Sequence, residues 1–325
     1  MSGAAPIAKV LVIKLGALGD FVLALAAMKH IRQSHPMARI TLLTTPPFEA
    51  LAQASGYFNA VETDGRPEGL GGWLTLIGRI RGARYDRVYD LQTSSKSSLY
   101  FQLSRPFPPV WSGIAVGCAL PHRNRNRNHM HTLERQADQL REAGIWPGAP
   151  TEPGTAPPPD LSWIVGKAAA RRGAKRKPYA LLVPGGSAHR PQKRWPVERF
   201  AELGALLRAR GLDVVIIGGP QESALARAIQ RGVQARDLTG RTDFAQLAAL
   251  GAGAALAVGN DTGPLHLIAA ARAPTLALFS SDSDPALCAP RGRVAVLRRP
   301  SLDQLSVAEV DAAALALVAE AAGAA

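Results

Sequence analysis

Ala254-Ala-Leu-Ala-Val-Gly-Asn-Asp-Thr-Gly-Pro-Leu-His-Leu-Ile-Ala-Ala-Ala271 reads as a buried strand that turns sharply into a helix. The apolar run before the turn suits a strand covered on both faces, and Pro264 stands near the helix start, where its missing N–H costs nothing. The turn is Asn260-Asp261-Thr262-Gly263, and it leaves N–H groups free around Thr262 and Gly263. With no side chain at Gly263 an anion can approach the backbone, where the helix dipole adds to the attraction. The spacing predicts a phosphate site; an ordinary capped junction, with Asp261 or Thr262 as N-cap, fits it as well.

The same alternation of strand and helix runs outward from this turn. Upstream, strands are expected at 179–183 and 213–217, with helices at 161–171, 197–210 and 244–250; downstream, strands at 275–278 and 294–297 precede an Ala-rich helix at 307–322. The first half repeats the pattern: strands at 9–14, 39–44, 60–63 and 87–91, helices at 21–33, 48–54, 71–81 and 129–143. In the last helix Leu133, Ala137 and Leu140 share one face. Strands too apolar for one-sided burial, alternating with helices, argue an α/β fold with parallel, doubly wound sheets. Between the halves the composition shifts abruptly to Pro, Gly, Thr and Glu. The expected organisation is a first domain over residues 1–150, a linker over 151–160, a second domain over 161–305 and a terminal helix over 306–325.

A chain of 325 residues suits two domains of about 150 each. Hydrophobic residues at 47% and charged residues at 19% exclude wholesale disorder. Cys118 and Cys288 lie far apart, outside any metal-ligand pattern, so neither a disulfide scaffold nor a zinc site is expected. No signal peptide or membrane span is read, and a cytoplasmic protein with at most peripheral membrane contact is expected. The formal charge of +13 implies attraction to polyanions: nucleic acid, anionic lipid or a phosphorylated glycolipid. Aromatic residues make up 6% and none interleave the basic runs at 123–127 and 171–177, so a base-stacking surface, and nucleic acid as partner, is not expected.

Several anion-friendly stretches fall at the carboxyl ends of second-half strands: Pro184-Gly-Gly-Ser-Ala188, the basic segment 189–194, Gly218-Gly219 and Asp261-Thr-Gly263. The corresponding edge of the first half carries Leu15-Gly-Ala-Leu-Gly-Asp20, expected to face them across a cleft. That loop lacks the third glycine of a dinucleotide fingerprint and the Lys-Ser/Thr of a P-loop. Asp20 lies where a helix N-cap would lie. The stretch 92–97 follows another strand at the edge where ligands of open α/β sheets gather, and is a candidate acceptor loop. A phosphate ligand in one domain and a carboxylate in the other is the layout of a transferase for nucleotide-linked groups.

Taken together, Lys14-Leu-Gly-Ala-Leu-Gly-Asp20, Asp90-Leu-Gln92 with Lys96-Ser97, Lys193-Arg-Trp-Pro196, Gly218-Gly-Pro-Gln-Glu222 and Asp261-Thr-Gly-Pro-Leu-His266 resemble the glycosyltransferase family 9 heptosyltransferases, nearly end to end. The resemblance implies a GT-B fold, two Rossmann-like domains with the donor held mainly by the second, and inverting transfer of heptose from ADP-heptose to the inner core of lipopolysaccharide. It implies Asp20 as general base, and Lys193 as the cation that meets charge on the departing diphosphate. For donor binding it implies N–H groups of Thr262 and Gly263, with the Ser187 hydroxyl, on the phosphates, Asp261 on sugar hydroxyls and Glu222 on the ribose diol. Gly19, Gln92 and Lys96 are the implied acceptor contacts, and neither a metal nor a cofactor is expected beyond the ADP-heptose substrate. Asp282-Ser-Asp284 has metal-motif spacing, but its family counterpart is not a metal site. Two departures stand out. The helix after Asp20 reads Phe-Val-Leu-Ala-Leu-Ala in place of a His-Thr-Leu-Pro type of run, and Ser280-Ser-Asp-Ser-Asp-Pro285 replaces a Gly-x-Thr-Asp-Pro type of segment. A family member using another nucleotide sugar, an epimerase on the same fold, or a non-catalytic nucleotide and polyanion binder remain alternatives.

Overall fold

The computed structural model describes residues 7–148, 152, 154–169, 177–186 and 191–323, and divides into two compact units, Met1–Pro157 and Pro158–Ala325. The first contains β1 (Lys9–Ile13), α1 (Leu18–Ser34), β2 (Arg39–Leu43), α2 (Glu49–Ser55), β3 (Ala60–Glu62), α3 (Gly69–Ala83), β4 (Arg87–Asp90), α4 (Ser95–Leu103), β5 (Val110–Gly113), β6 (Leu120–Pro121) and α5 (Thr132–Glu142). The second contains α6 (Ser162–Ala169), β7 (Tyr179–Val183), α7 (Val197–Ala209), β8 (Asp213–Ile216), α8 (Ser223–Gly232), β9 (Arg236–Asp237), α9 (Phe244–Ala252), β10 (Leu256–Asn260), α10 (Gly263–Ala270), β11 (Thr275–Phe279), α11 (Pro285–Cys288), β12 (Val294–Arg298) and α12 (Val307–Gly323).

Each unit is built on a six-stranded parallel sheet, ordered β3-β2-β1-β4-β5-β6 in the first and β12-β11-β10-β7-β8-β9 in the second. Both orders reverse direction between their two central strands. At such a reversal the connections leave to opposite faces and open a crevice at the carboxyl ends, where ligands of open α/β sheets bind. In the first unit that crevice lies between β1 and β4, beside Lys14 and Leu91; in the second it lies between β7 and β10, beside Pro184 and Asp261.

The central strands are buried along their length, as their unbroken apolar runs require. In the second unit the core joins β7, β8, β10 and β11 to α7 and α8, and includes Val310, Ala314 and Leu317 of α12. Although its sequence sets the terminal helix apart, α12 belongs to this core. In the first unit α3 and α4 cover one face of the sheet through Leu76, Ile80, Tyr100 and Phe101, and α1 packs with α5 through Leu23, Leu133 and Ala137.

The structure differs from the expectations in three places. The stretch 92–97 is more than a loop, because α4 starts inside it: Ser94 and Ser97 form a reciprocal capping box that a serine-rich stretch conceals. The strands β5, β6 and β9 are two to four residues long, too short to carry a periodic signal. On α5 the polar side is buried as well, since Glu134, Gln136, Asp138 and Gln139 are as enclosed as Leu133 and Leu140. That helix bonds inward: Gln139 Nε2 donates to the Asp90 carbonyl at 3.1 Å and to the Ser112 carbonyl at 3.3 Å.

Asp90, at the carboxyl end of β4, is fully buried. Burial pushes its carboxyl up to about 6, against the N–H groups of Thr93 and Gln92, which donate to Oδ1 at 3.0 and 3.1 Å. Because the folded value lies above the ordinary 3.8, ionising Asp90 weakens the fold. Its favourable share of stability is complete below pH ~4 and is lost as pH rises through about 6, a difference on the order of 3 kcal/mol. Asp90→Asn is therefore expected to raise the unfolding midpoint relative to the parent at pH 8, to keep about half of that advantage at pH 5 and to lose it below pH ~4; equal differences at pH 8 and pH ~3.5 in denaturant titrations would refute this.

Candidate active site

In the first unit, β1 ends at Ile13 and the chain crosses the β1–β4 crevice before α1 begins. Leu15 N–H donates to Gln92 Oε1 at 2.9 Å and Lys14 Nζ reaches the Leu91 carbonyl at 3.4 Å, so the two strand ends are tied across the reversal. α1 starts at Leu18 behind Ala17, which makes no side-chain cap, and Asp20 is the third residue of its first turn. The N-cap placement of Asp20 is thus corrected: the helix starts earlier than the apolar run suggests, and the carboxylate belongs to the helix, half-exposed.

Asp20 lines a polar cavity of about 210 Å³ together with Lys14, Gln92, Arg127, Arg135 and Gln139. Three cations surround one carboxylate there. Burial pulls the Lys14 ammonium down while Asp20 pulls it back up, and the Arg135 guanidinium is lowered by burial against the same Asp20 charge. Thr93, also in the lining, holds φ at 44°, a conformation uncommon for a β-branched residue, with its N–H donated to Asp90.

The second unit's crevice is organised by Asn260, the last residue of β10 and fully buried. Its Nδ2 donates to the carbonyls of Pro184 at 2.9 Å and Gly185 at 3.1 Å, while its Oδ1 accepts the Trp195 N–H at 3.0 Å. One side chain therefore holds the end of β10, the loop after β7 and the segment that carries Lys193. Arg194 secures the same loop through the Gly186 carbonyl at 2.7 Å, and Trp195 is core, stacked edge-on against Phe200.

Next along the turn, Asp261 Oδ2 accepts from Lys193 Nζ at 3.1 Å and from Ser283 Oγ at 2.6 Å; Lys193 Nζ also touches Ser283 Oγ. His266 Nε2 stands 3.7 Å from Oδ1. The two charged side chains are only 12% and 13% exposed, so water screens the pair weakly. Burial works to raise the Asp261 carboxyl, but the His266 ring, the Ser283 hydroxyl and the Lys193 ammonium outweigh it and hold the group at about 2. α10 begins at Gly263 behind an extended Thr262 that makes no side-chain cap, and Asp261 is engaged elsewhere. Among the described residues the Thr262 and Gly263 N–H groups therefore have no acceptor, as the first turn of an uncapped helix dictates.

Glu222 is buried and serves its own turn, accepting the Gly219 N–H at 2.7 Å. It packs so close to Gly185 and Gly218 that a Cβ at either would stand 2.8 Å from the carboxylate's stem. Ser187 lies outside the described residues. Thus Asp20 and Gln92 meet in one cavity, with Gly19 next to Asp20 in the chain. Lys193, Asp261, Thr262 and Gly263 meet at the other unit's crevice. Lys96 sits on the exposed side of α4's first turn, outside that lining. Sequence reasoning assigned no role to Asn260, Ser283, Lys14, Arg127 or Arg135. Of the pair with metal-motif spacing, Asp282 Oδ2 accepts from Ser280 Oγ at 3.1 Å and Asp284 caps α11 at the Ala286 N–H. His122, Asp138 and Glu142 do cluster with metal-ligand spacing, but Asn124 and Arg141 also occupy Asp138, and the Arg123 N–H occupies Glu142.

Two doubly wound parallel sheets, each with polar residues at the carboxyl-side reversal, give the chain a GT-B type fold. The model of glycosyltransferase family 9 (heptosyltransferase) matches residues 73–301, and the chain belongs to that family. Lipopolysaccharide heptosyltransferase 2 of Escherichia coli K12 is 26% identical over 309 residues, covering 85% of this chain and 83% of the relative. Lipooligosaccharide heptosyltransferase 2 of Haemophilus ducreyi is 25% identical over 313 residues, covering 90% and 88%. Among solved structures, E. coli ADP-heptose LPS heptosyltransferase II gives a TM-score of 0.79 at 24% identity over 96% of this chain and 99% of that one. E. coli heptosyltransferase WaaC with ADP gives 0.74 at 21% identity over 95% and 99%. Heptosyl transfer in lipopolysaccharide synthesis is accordingly the function at family level.

Asn260→Ala is expected to cost about 2–4 kcal/mol in denaturant unfolding, because two carbonyls and one N–H lose their partner. Asn260→Asp keeps the acceptor but loses both donations and should be no milder; a cost under ~1 kcal/mol for both would refute the bridging role. For Asp261 the folded value lies below the ordinary 3.8, so its contribution is present above pH ~4 and lost as pH falls through about 2, up to about 2 kcal/mol. Unfolding midpoints followed from pH 6 to pH 2.5 should fall more steeply for the parent than for Asp261→Asn.

Proposed function

We propose that this protein transfers heptose with inversion from ADP-heptose to an inner-core sugar of lipopolysaccharide, the second unit binding donor and the first binding acceptor. The observation that carries the reading is the cation Lys193, fixed by Asp261 and Ser283 beside the open N–H groups of Thr262 and Gly263. Such a site is suited to a diphosphate. The relative with ADP among the solved structures supports the nucleotide assignment.

In this reading Asp20 takes the proton of the acceptor hydroxyl as its oxygen attacks the anomeric carbon. The bond from that carbon to the diphosphate oxygen breaks, and the electron pair leaves with ADP. Lys193 and the two N–H groups stabilise the charge that builds there, a role a divalent ion fills in other transferases. Asp261 positions Lys193, in addition to or in place of contacting sugar hydroxyls, while Glu222 and Ser187 complete the donor set. Gly19 and Gln92 border the acceptor, and the excess positive charge of Lys14, Arg127 and Arg135 suits one that carries acid groups.

A second reading, another nucleotide sugar on the same machinery, rests on Ser283. It belongs to the segment that departs from the family pattern, yet it bonds Asp261 directly. A change in that segment therefore reaches the Lys193–Asp261 pair and, through it, the donor contacts on which sugar choice depends.

The test is ADP release from purified protein given ADP-heptose and a heptose-deficient lipopolysaccharide. Asp20→Asn is expected to lower kcat by about 10²–10⁴ and Lys193→Ala by about 10²–10³, with activity retained in chelator. Turnover of a different nucleotide sugar alone would move the assignment to the second reading; loss of all activity in chelator would overturn the role given to Lys193.

A further inference from the structure

Eleven large apolar side chains are exposed among the described residues, and seven of them fall between Leu70 and Val116. Single exposed leucines are ordinary; their concentration on one face is not. Leu70 and Leu74, 77% and 66% exposed, line the outer side of α3, and Leu99 and Leu103 line that of α4. The two helices lie side by side on the same face of the sheet: Trp73 meets Tyr100 edge-on at 5.6 Å, and Arg81 donates to the Arg105 carbonyl. Phe107, 90% exposed, follows α4, and Val116 reaches the same helix through its carbonyl, which accepts Gln102 Nε2 at 2.9 Å.

Cations border these apolar groups. Lys96 stands on the first turn of α4, and Arg81, Arg84, Arg105 and Phe107 line a pocket of about 580 Å³ where the carboxyl ends of α3 and α4 meet. The acids nearby offset them only in part. Asp64 is paired with Arg79, Glu68 lies at the far end beside Leu70, and Asp86, which accepts the N–H groups of Ala8 and Lys9 at 2.8 Å, is one carboxylate in the pocket against three guanidinium groups.

We infer that the outer face of α3 and α4 docks on an anionic phospholipid bilayer, the leucines and Phe107 entering the headgroup boundary and the arginine pocket taking a lipid phosphate. Apolar side chains rimmed by cations match such a surface in both its parts. Each basic residue held against an anionic leaflet strengthens partitioning about fivefold. A lipid-borne acceptor would then reach the first unit while still in its membrane; docking itself does not depend on the identity of that acceptor.

The experiment is flotation of the full chain with vesicles of phosphatidylglycerol and phosphatidylethanolamine, against phosphatidylcholine vesicles, without substrate. The parent should float with the anionic vesicles and bind phosphatidylcholine at least ~10-fold more weakly, with salt releasing it. A Leu74→Ser, Leu99→Ser, Phe107→Ser variant and an Arg84→Glu, Arg105→Glu variant should each lose about tenfold or more in binding, with unchanged melting and unchanged ADP release on a soluble, deacylated acceptor. Parent-like flotation of both variants, or a parent that ignores anionic vesicles, would overturn the inference. So would a dimer seen in light scattering that the variants dissolve, since the face would then join two copies of this chain. Failure of catalysis alone would leave flotation unaffected and would count only against the proposed reaction.

Discussion

The side-chain amide of Asn260 is the constraint on which the second unit's site rests. A parallel sheet that reverses its winding leaves two neighbouring strand ends with loops departing in opposite directions, and nothing in the ladder itself fixes those loops relative to each other. Asn260 does so with two donations and one acceptance, all buried. An amide is suited to this position because carbonyls and an N–H must be satisfied by the same group; a carboxylate could serve only the N–H, and an aliphatic side chain neither. Lys193 is thereby placed two residues from an anchored backbone, and Asp261 is placed next to the anchor itself.

The first unit solves the same problem with charge. Its reversal is bridged by Lys14 and Gln92, and the buried Asp90 beneath them receives N–H groups from the turn that carries Thr93. Burying a lysine and a carboxyl is costly, and burial moves both from their ordinary values even though each charge partly offsets the other's shift. The expense falls where a strained Thr93 and a polar cavity also lie, a clustering that marks sites kept for chemistry and not for stability.

The parallel α/β architecture was legible because nearly every central strand is an unbroken apolar run, and the turn at 260–263 because Gly and Pro punctuate it. Helix starts were harder to place. The apolar run from Phe21 puts Asp20 at an N-cap position in the sequence, whereas α1 opens on Leu18-Gly19, residues that carry no start signal. The polar side of α5 was invisible as a buried surface, because its Gln and Asp partners, Ser112 and His122, come from strands or loops far away in sequence. Asn260 was seen only as part of a turn for the same reason: its three partners lie 65 to 76 residues away. Ser283 drew attention only as a deviation from a pattern, and its bond to Asp261 is a fact of tertiary structure alone.

Trp195, two residues after Lys193, donates its indole N–H to the Leu305 carbonyl at 2.8 Å, and Arg199 holds the same carbonyl and that of Asp303. Leu305 leads directly into α12. The segment leading into the tail is thus the mooring of the cation-bearing segment, and α12 packs Val310, Ala314 and Leu317 into the same core as Trp195. A homologue cut back before residue 303 would keep every motif quoted above and lose the backbone that holds Lys193's neighbours, so retained motifs alone do not show that the site is still built.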